Sequence, residues 1–293
     1  MHKAGFVNIV GNPNVGKSTL MNALVGERIS IITSKSQTTR HRIMGIVNGE
    51  DFQIVYSDTP GALKPNYRLQ ESMLEASESA FKDADVLLYV TDTVESYDKN
   101  LDFLDKVRKM QTPIFLIINK IDLLSSQKEL EDLVDKWKTV LPNARIIPIC
   151  AKEKFNVENL LTQIKELLPE SPAYFDKDAL TDRPARFFVT EIIREKILEL
   201  YDKEIPYSSE VVVEKFVEDK KIIHINAVIY VERDSQKSII IGKGGSMLKK
   251  VGMMARKDVE AFFQKKVFLE LFVKVEKDWR NRENILRSFG YIE

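Results

Sequence analysis

The sequence predicts an α/β domain, with a mostly parallel sheet and helices on both faces, followed by a smaller α+β domain. Over residues 1–168, short apolar runs alternate with helical periodicity, which is typical of a layered α/β domain. Pro169, Pro172 and Pro184 then bracket a stretch without periodicity. Beyond it, strand-like and helix-like segments follow a different order. We therefore expect domains at residues 1–168 and 184–293, joined by a linker at residues 169–183.

The elements of the first domain follow from its apolar patterns. Its strands are short runs rich in Val and Ile, typical of a buried parallel sheet, at Phe6–Val10, Phe52–Tyr56, Val86–Val90, Ile114–Ile118 and Ile146–Ile149. Helical periodicity separates them, at Ser18–Val25, Arg68–Phe81, Lys99–Met110, Gln127–Val140 and Val157–Leu168. The turn signal at residues 48–51 predicts a hairpin, so Arg42–Asn48 is expected to pair antiparallel with the second of these strands.

The second domain has fewer and longer elements. Its periodicity predicts helices at Phe187–Tyr201, Ser246–Phe263 and Trp279–Phe289, and strands at Val211–Val217, Ile222–Val231 and Val267–Val275. Trp279 is expected to pack in the core beside solvated arginines.

Composition excludes several classes of protein. Hydrophobic residues make up 44 % of the 293 residues and charged residues 30 %, which excludes collagen-like and low-complexity chains. No run approaches the roughly 20 apolar residues of a membrane span. The single cysteine, Cys150, cannot form an internal disulfide, which favours a reducing compartment. We expect a cytoplasmic protein, and peripheral contact with the inner face of the membrane is compatible with this composition.

Basic residues are concentrated in the second domain. The chain has 44 Lys and Arg against 44 Asp and Glu, but residues 183–293 have 22 against 18, a net charge of +4. No acidic residue lies between Asp234 and Asp258, whereas six basic residues do: Lys237, Lys243, Lys249, Lys250, Arg256 and Lys257. A local patch of this kind attracts phosphate groups.

A phosphate-binding loop follows the first strand. Residues 11–18 fit the pattern GxxxxGK[ST] and open a helix, which is the context that the motif requires. Glycines let the backbone N–H groups point inward, and the helix N-terminus favours an anion. Lys17 would reach the β- and γ-phosphates, and Ser18 would ligate Mg²⁺. The predicted contacts of this loop are Gly11, Asn12, Pro13, Asn14, Val15, Gly16, Lys17, Ser18 and Thr19.

A second motif, Asp58-Thr59-Pro60-Gly61, follows the strand that ends at Tyr56. An aspartate at the carboxyl end of a strand can hold Mg²⁺ in a phosphate-loop protein. Gly61 can offer an unhindered N–H to the γ-phosphate. We predict that these residues face the terminal phosphate, with Lys17 and Gly61 taking part in catalysis.

A third motif, Asn119-Lys120-Ile121-Asp122, predicts recognition of guanine. Its carboxylate, Asp122, can accept both the N1–H and the 2-amino group, a pair of donors that adenine lacks. Asn119 would bond the ring edge and brace the phosphate-binding loop, while the stem of Lys120 packs over the base. Cys150-Ala151-Lys152 would complete the pocket, with the Ala151 N–H facing the guanine oxygen. The Cys150 thiol is expected to be a small buried apolar group.

A glycine loop in the second domain predicts RNA binding. Gly242-Lys243-Gly244-Gly245 precedes a basic helix that carries Lys249 and Lys250. Glycines allow a nucleic-acid phosphate to approach the main chain, and the lysines extend the positive track. The preceding apolar residues Ile239, Ile240 and Ile241 are expected to face the core, with the alternative that one of them lines the nucleotide groove.

Together these motifs resemble the translation-factor-related GTPases. With Ser36-Gln37-Thr38-Thr39-Arg40-His41-Arg42 and a KH-like second domain, the whole chain is similar to the Era family of bacterial ribosome-assembly GTPases. The resemblance implies a P-loop GTPase domain followed by a type II KH domain. It also implies a monomer whose partners are GTP or GDP, 16S ribosomal RNA and the 30S ribosomal subunit, whose maturation it assists.

The resemblance also assigns switch and catalytic roles. Thr39 is the switch threonine that completes the Mg²⁺ shell, with Thr38 as the alternative. Ala62 stands where many GTPases have a water-orienting glutamine, so the intrinsic hydrolysis is expected to be slow. Asn14 is similar to the asparagine that holds K⁺ in related GTPases without this glutamine, which suggests K⁺ as a second cofactor beside Mg²⁺.

Two other functions compete with this interpretation. A small-molecule kinase could use the same loop, but it would have no reason to select guanine through Asp122. An RNA scaffold with a degenerate nucleotide fold would not need Lys17, Ser18 and Asp58. Competition of ATP with GTP tests the first alternative, and phosphate release tests the second.

Overall fold

The computed structural model describes residues 1–292, and the chain divides into two compact units. The first unit comprises residues 1–66 and 70–182. The second comprises residues 67–69 and the residues from 183 onward. Among the described residues, no helix combines the length and the apolar character needed to cross a membrane.

The first unit is built on a twisted α/β sheet. Within the described residues it has six strands, Lys3–Gly11 (β1), Ile43–Asn48 (β2), Phe52–Asp58 (β3), Val86–Asp92 (β4), Ile114–Asn119 (β5) and Arg145–Pro148 (β6). Their order across the sheet is β2-β3-β1-β4-β5-β6, and every pair is parallel except β2 with β3. The antiparallel pairing of β2 with β3 confirms the predicted hairpin.

The order of the strands determines where a ligand can bind. The central strand β1 lies between β3 and β4, so the chain crosses over in opposite directions on its two sides. In an open α/β sheet, a crevice forms at such a switch point, outside the carboxyl ends of the strands. The segments that follow β1, β3 and β5 all lie at this edge.

The helices of this unit are Lys17–Val25 (α1), Arg68–Ser79 (α2), Leu101–Arg108 (α3), Gln127–Val140 (α4) and Val157–Leu167 (α5). The buried residues Phe103 of α3 and Trp137 of α4 pack with Tyr89 and Leu116 on one face of the sheet. On α1 the buried apolar residues are Leu20, Met21 and Leu24, and this helix contacts β1, β3 and α5.

Residues 169–182 lie along the edge of the first sheet. The Gln53 side chain is fully buried, and its Oε1 accepts hydrogen bonds from the N–H groups of Tyr174 (2.7 Å) and Phe175 (3.0 Å). Further along, the Ile46 N–H donates to the Leu180 carbonyl at 2.9 Å, and the Thr181 hydroxyl donates to the Met44 carbonyl at 2.7 Å. This segment is therefore fixed to the first unit by hydrogen bonds up to residue 182.

The second unit packs helices on one face of a three-stranded sheet. Its strands are Glu210–Glu218 (β7), Ile222–Val231 (β8) and Lys266–Val275 (β9), with β8 central, antiparallel to β7 and parallel to β9. Ile193, Ile225 and Val251 are completely buried in the core between helices and sheet. Its helices are Ala185–Leu200 (α6), Ile205–Ser208 (α7), Asp234–Ile241 (α8), Ser246–Phe263 (α9) and Glu283–Ser288 (α10).

The C-terminal helix differs from its prediction. A single helix was expected over Trp279–Phe289, but a 3₁₀ turn at Trp279–Asn281 is separated from α10 by Arg282, whose backbone is extended (φ −92°, ψ 109°). Trp279 is fully buried, and its Nε1–H donates to the Ser208 carbonyl at 3.0 Å. The buried indole thus holds the 3₁₀ turn in the core, as expected for this residue.

Candidate functional site

The phosphate-binding loop connects β1 to α1 and ends in a left-handed glycine. Gly16 has φ +95°, and a Cβ at this position would lie 2.2 Å from Nδ2 of Asn119. The helix that follows begins at Lys17 with no side-chain cap and no acidic residue in its first turn. Its first N–H groups have no intrahelical acceptor, so they are available to an anion.

Lys17 lies folded over this loop. Its side chain is buried, and Nζ donates to the carbonyl oxygens of Gly11 (3.1 Å) and Asn12 (2.8 Å). Burial lowers the pKa of Lys17 to about 8, and the carboxylate of Asp58 acts in the opposite direction. Both of these acceptors are neutral carbonyls, so the ammonium can pair with an anion placed in the loop.

The fully buried carboxylate of Asp58 accepts hydrogen bonds from hydroxyl groups of two other segments. Its Oδ2 accepts from Ser18 Oγ at 2.7 Å and from Thr39 Oγ1 at 3.3 Å, and these two hydroxyls are 3.0 Å apart. Its other oxygen, Oδ1, is buried without a hydrogen-bond partner among residues 1–292. Burial raises the pKa of Asp58, while Ser18, Lys17 and Thr39 act to lower it.

These three side chains fit a magnesium ion. Mg²⁺ prefers hard oxygen ligands and is commonly held by one carboxylate together with substrate phosphates and water. Ser18, Thr39 and Asp58 bring one carboxylate and two hydroxyl oxygens together, and the unbonded Oδ1 of Asp58 leaves a negative lone pair for a cation. The donor set thus matches the metal that the sequence implied.

The geometry distinguishes between the two candidate switch threonines. Thr39 lies against Ser18 and Asp58. Thr38 lies elsewhere: its hydroxyl donates to the Lys35 carbonyl at 2.7 Å and is 2.6 Å from the Thr33 hydroxyl. The residue that shares the Asp58 cluster is therefore Thr39.

An arginine holds the start of β2, just after this threonine. Arg42 donates from Nε to Ser57 Oγ at 2.7 Å and from its terminal nitrogens to Asp83 (2.9 Å) and Asn8 Oδ1 (3.1 Å). The planar guanidinium thus ties β2 to β3, to β1 and to the turn before β4. The segment that carries Thr39 is fixed at its carboxyl end by this contact.

The motif after β3 approaches the loop closely. A Cβ on Gly61 would lie 2.8 Å from Pro13, so no side chain fits there without a shift. The Ala62 N–H donates to the Gly11 carbonyl at 3.1 Å, which joins the two segments. The Thr59 hydroxyl donates to the Ile9 carbonyl at 2.8 Å and is buried, so this side chain supports the sheet.

Asn119 joins the phosphate-binding loop to the loop after β6. It is buried, its Nδ2 donates to the Val15 carbonyl at 2.9 Å, and its Oδ1 accepts from the Ala151 N–H at 3.0 Å. The expected bracing of the loop is thus present. Without a nucleotide, the Ala151 N–H donates to Asn119, and its contact with the guanine oxygen stays a prediction.

The other residues of the base-reading motifs surround the same opening. Lys120 has a left-handed backbone (φ 63°), and its Nζ donates to the Asn14 carbonyl (2.6 Å) and to Asp92 Oδ2 (2.8 Å). Asp122 is exposed in the 3₁₀ turn that follows. Cys150 is buried, as expected for a small apolar group, whereas Lys152 is exposed.

A cavity of about 400 Å³ lies over the phosphate-binding loop. Its wall includes Lys17, Ser18, Thr39, Gly61 and Lys120, which the sequence had singled out. Sequence reasoning missed part of the wall, because these residues lie in an irregular segment with no motif of their own: Ile31, Ile32, Thr33, Ser34 and Lys35. Gln37, from the segment that carries the switch threonine, also lines the cavity.

The second unit carries a separate glycine loop between α8 and α9. Gly242, Gly244 and Gly245 all have positive φ (71°, 58° and 78°), and a Cβ on Gly244 or Gly245 would meet nothing within 4 Å. Helix α9 begins at Ser246 without a side-chain cap or an acidic residue in its first turn. The lysines around the loop, Lys243, Lys249 and Lys250, are exposed.

The apolar run before this loop is only partly in the core. Ile240 is completely buried, whereas Ile239 is 49 % exposed. Only part of the run therefore faces the core, because these residues belong to α8 and a helix turns successive side chains to different sides.

Comparisons with known proteins agree with both units. The family model described as "50S ribosome-binding GTPase" matches residues 6–120, and that described as "KH domain" matches residues 204–280. Among solved structures, Era in complex with MgGDPNP and nucleotides 1506–1542 of 16S ribosomal RNA is 37 % identical. All of both chains is covered, with a TM-score of 0.96.

The chain belongs to the Era family.

A second solved structure, an alanine variant of Aquifex aeolicus Era bound to GDP·AlF₄⁻, is also 37 % identical. It covers 99 % of this chain and 100 % of its own, with a TM-score of 0.95. The predicted fold class is thereby confirmed: a P-loop GTPase domain on a mostly parallel sheet, followed by a KH domain.

Replacing Asn119 by leucine should destabilise this Era-family chain even without a ligand. The substitution leaves the buried Val15 carbonyl and Ala151 N–H without partners, at a cost of about 1–3 kcal/mol in the free energy of unfolding. Urea unfolding of the nucleotide-free protein measures this loss of stability, and the substitution Asn143→Leu at an exposed position serves as the control. Equal unfolding midpoints for the two variants would contradict the bracing role of Asn119.

Proposed function

We propose that the protein binds and hydrolyses GTP in its first unit, binds 16S ribosomal RNA through its second unit, and assists maturation of the 30S subunit. The observation that carries this proposal is the convergence of Ser18 and Thr39 on the buried carboxylate of Asp58. These groups come from a helix start, a loop and a strand end. Such an arrangement fits a switch whose loop is ordered by Mg²⁺ and a terminal phosphate.

The solved Era structures support the ligands proposed. One holds MgGDPNP and nucleotides 1506–1542 of 16S ribosomal RNA, and another holds GDP·AlF₄⁻. In this chain, Ser18, Thr39 and Asp58 would hold Mg²⁺, which supplies positive charge beside the phosphates. Because identity extends over the full length, we carry both ligand classes over to this protein.

The residues of this chain would then stabilise the charge that develops during hydrolysis. Lys17 exchanges the carbonyls of Gly11 and Asn12 for oxygens of the β- and γ-phosphates, and the loop N–H groups donate to the same phosphates. Gly61 offers its N–H to the γ-phosphate. Water attacks the γ-phosphorus, the bond to the bridging oxygen breaks, and GDP and phosphate are released.

Ala62 leaves the attacking water without a glutamine. It is 2 % exposed, and its methyl group can neither donate nor accept a hydrogen bond. We propose a slow intrinsic rate that K⁺ accelerates. Asn14 lines the same cavity as Lys17 and Ser18, which supports it as the K⁺ ligand.

We place the working boundaries at residues 1–168 for the GTPase domain and 184–293 for the KH domain, with residues 169–183 connecting them. The hydrogen bonds of residues 171–182 to the first unit support a connection that moves with the GTPase domain. We propose a monomer that works in the cytoplasm. Peripheral contact with the inner membrane face is part of this proposal, although no described helix would span the membrane.

Release of phosphate from GTP and from ATP tests the proposed reaction. The full chain with Mg²⁺ should hydrolyse GTP slowly, and a tenfold excess of ATP should leave that rate unchanged. Equal competition by ATP would favour a kinase on the same loop. Retention of RNA without any guanine nucleotide binding would favour a scaffold.

Replacing Asp122 by asparagine should change the selectivity for the base. Affinity for GDP should fall by more than tenfold, because a carboxylate that accepts two donors becomes an amide. Affinity for xanthosine diphosphate should rise, since the amide can donate to the oxygen that replaces the 2-amino group. Fluorescent-nucleotide titration measures both, with the exposed Asp132→Asn as control. An unchanged ratio between the two nucleotides would refute the base-reading role.

The role of K⁺ is tested by exchanging it for Na⁺ at equal ionic strength. The kcat for GTP should be several-fold higher in K⁺, because a cation beside the phosphates stabilises the transition-state charge. Asn14→Ala should lose this difference and keep GDP binding. Identical rates in K⁺ and Na⁺ for the unsubstituted protein would remove K⁺ from the mechanism.

Replacing Gly244 by aspartate should weaken RNA binding and leave GTP hydrolysis in place. The space beside this residue is open, and aspartate tolerates the left-handed backbone better than most residues. The added carboxylate would repel the RNA backbone, so affinity for an RNA of the sequence 1506–1542 of 16S ribosomal RNA (the RNA probe) should fall at least tenfold. Gly244→Asn serves as the control, because asparagine has nearly the same shape as aspartate but carries no charge. Equal affinities for the two variants would move the RNA site elsewhere.

A further inference from the structure

Part of one face of the β7–β8–β9 sheet is not covered by helices. The core-facing side of β8 carries Ile223, Ile225 and Ala227, which are completely buried. The opposite side is formed by alternate residues that the strand register places side by side. Val228 on this side is buried, and the ring of Tyr230 packs against that of Phe289. The remaining part, here called the open face, comprises His224, Asn226, Phe268, Glu270 and Phe272.

The open face exposes aromatic rings. Phe268 and Phe272 are each 49 % exposed, and the His224 ring lies 5.8 Å from the ring of Phe268. On β9 the two phenylalanines are four residues apart, about 13 Å along the strand. A soluble domain that holds two large rings on a flat, solvated sheet presents surfaces on which planar groups can stack.

Polar groups able to read a base edge lie between the rings. Glu270 pairs in register with Asn226. With the side-chain nitrogen of Asn226 turned toward Glu270, this amide donates to Glu270 Oε2 at 3.1 Å. A carboxylate accepts from the amino group of a base, and an amide both donates and accepts. The sequence of groups along β9 is therefore ring, carboxylate, ring.

The charges around the open face favour a polyanion. Two of its acidic neighbours are paired with lysines, Glu214 with Lys274 at 2.9 Å and Glu218 with Lys265 at 2.8 Å. Asp219 lies 3.7 Å from His224, and Glu270 is the carboxylate on the face itself. In contrast, four lysines on β7, on β9 and in the turn between β7 and β8 make no ion pair within residues 1–292: Lys215, Lys220, Lys221 and Lys266. Unpaired lysines beside exposed rings match phosphates beside bases.

We propose that the open face is a second RNA-binding surface of this unit, on which single-stranded bases stack on Phe268 and Phe272. The glycine loop at residues 242–245 belongs to the helical side of the sheet, where α9 contacts β9. Because β9 is an edge strand, an RNA strand held at that loop can pass around it and reach the open face. This inference rests on the proposed function, since it assigns a second contact to the same RNA.

The test measures affinity of the full chain for the RNA probe. Phe268→Ala and Phe272→Ala should each weaken binding on the order of tenfold, because stacking of one base on an aromatic side chain is lost. Lys220→Gln with Lys221→Gln should weaken binding and reduce its dependence on salt. Exposed residues of the first unit serve as controls, Tyr97→Ala for the rings and Lys128→Gln for the charges.

A fluorescent variant reports on the open face directly. Trp137 and Trp279 are buried, so Phe268→Trp adds an exposed indole whose emission is distinct. The RNA probe should quench this emission, and the variant should keep the affinity of the unsubstituted protein because the indole can still stack a base.

Two contrary outcomes are distinguishable. If the unsubstituted chain does not bind the RNA probe at all, the proposed function itself fails. If it binds and Gly244→Asp abolishes binding while the alanine variants stay within twofold and the added indole is not quenched, only the second surface is overturned. A protein that occupies the open face would give that same result.

Discussion

The buried carboxylate of Asp58 is the interaction on which the first unit's site depends. A fully buried negative charge is costly unless it is paired or hydrogen-bonded. Here it collects the hydroxyls of Ser18 and Thr39, with the ammonium of Lys17 nearby. The start of α1, the loop before β2 and the end of β3 meet because they share this one group. Its second oxygen accepts no hydrogen bond within residues 1–292, which fits the proposed cation.

The sheet makes this meeting possible. The strands β1, β3 and β5 run parallel, so the segments that follow them reach the same edge. Asn119 then ties the phosphate-binding loop to the loop after β6, and Arg42 ties the start of β2 to its neighbours. Each bridge uses a side chain whose hydrogen-bonding groups are satisfied in the interior. The site is therefore held by buried polar groups, and little of it depends on the mobile ends of exposed side chains.

The sequence was informative wherever a pattern is repeated or a motif has a fixed spacing. The helices at Gln127–Val140 and Ser246–Phe263 have the predicted bounds, because their apolar residues recur at helical spacing throughout. The choice between Thr38 and Thr39 is different. Both are hydroxyls in one loop, and only the three-dimensional path of that loop brings one of them to Asp58.

The attachment of residues 169–182 to the first unit could not be predicted from the sequence either. This segment has no periodicity, and a linker was the natural prediction. Its attachment depends on backbone groups and on the amide of Gln53, and neither leaves a pattern in the sequence. The Ala151 N–H is a similar case, because its partner is Asn119, distant in sequence and identified only once the loops are packed.

The two proposed phosphate sites use the same physical device on unrelated sheets. In each, a glycine with positive φ, Gly16 or Gly245, leads into a helix that has no side-chain cap and no acid in its first turn. Helix α4 shows the alternative, since Ser126 caps it by accepting from the Glu129 N–H, and Glu129 adds an acid to the first turn. Capping satisfies the first N–H groups from within the chain. Helices α1 and α9 leave those groups to an external anion, which is the feature that the two proposed sites share.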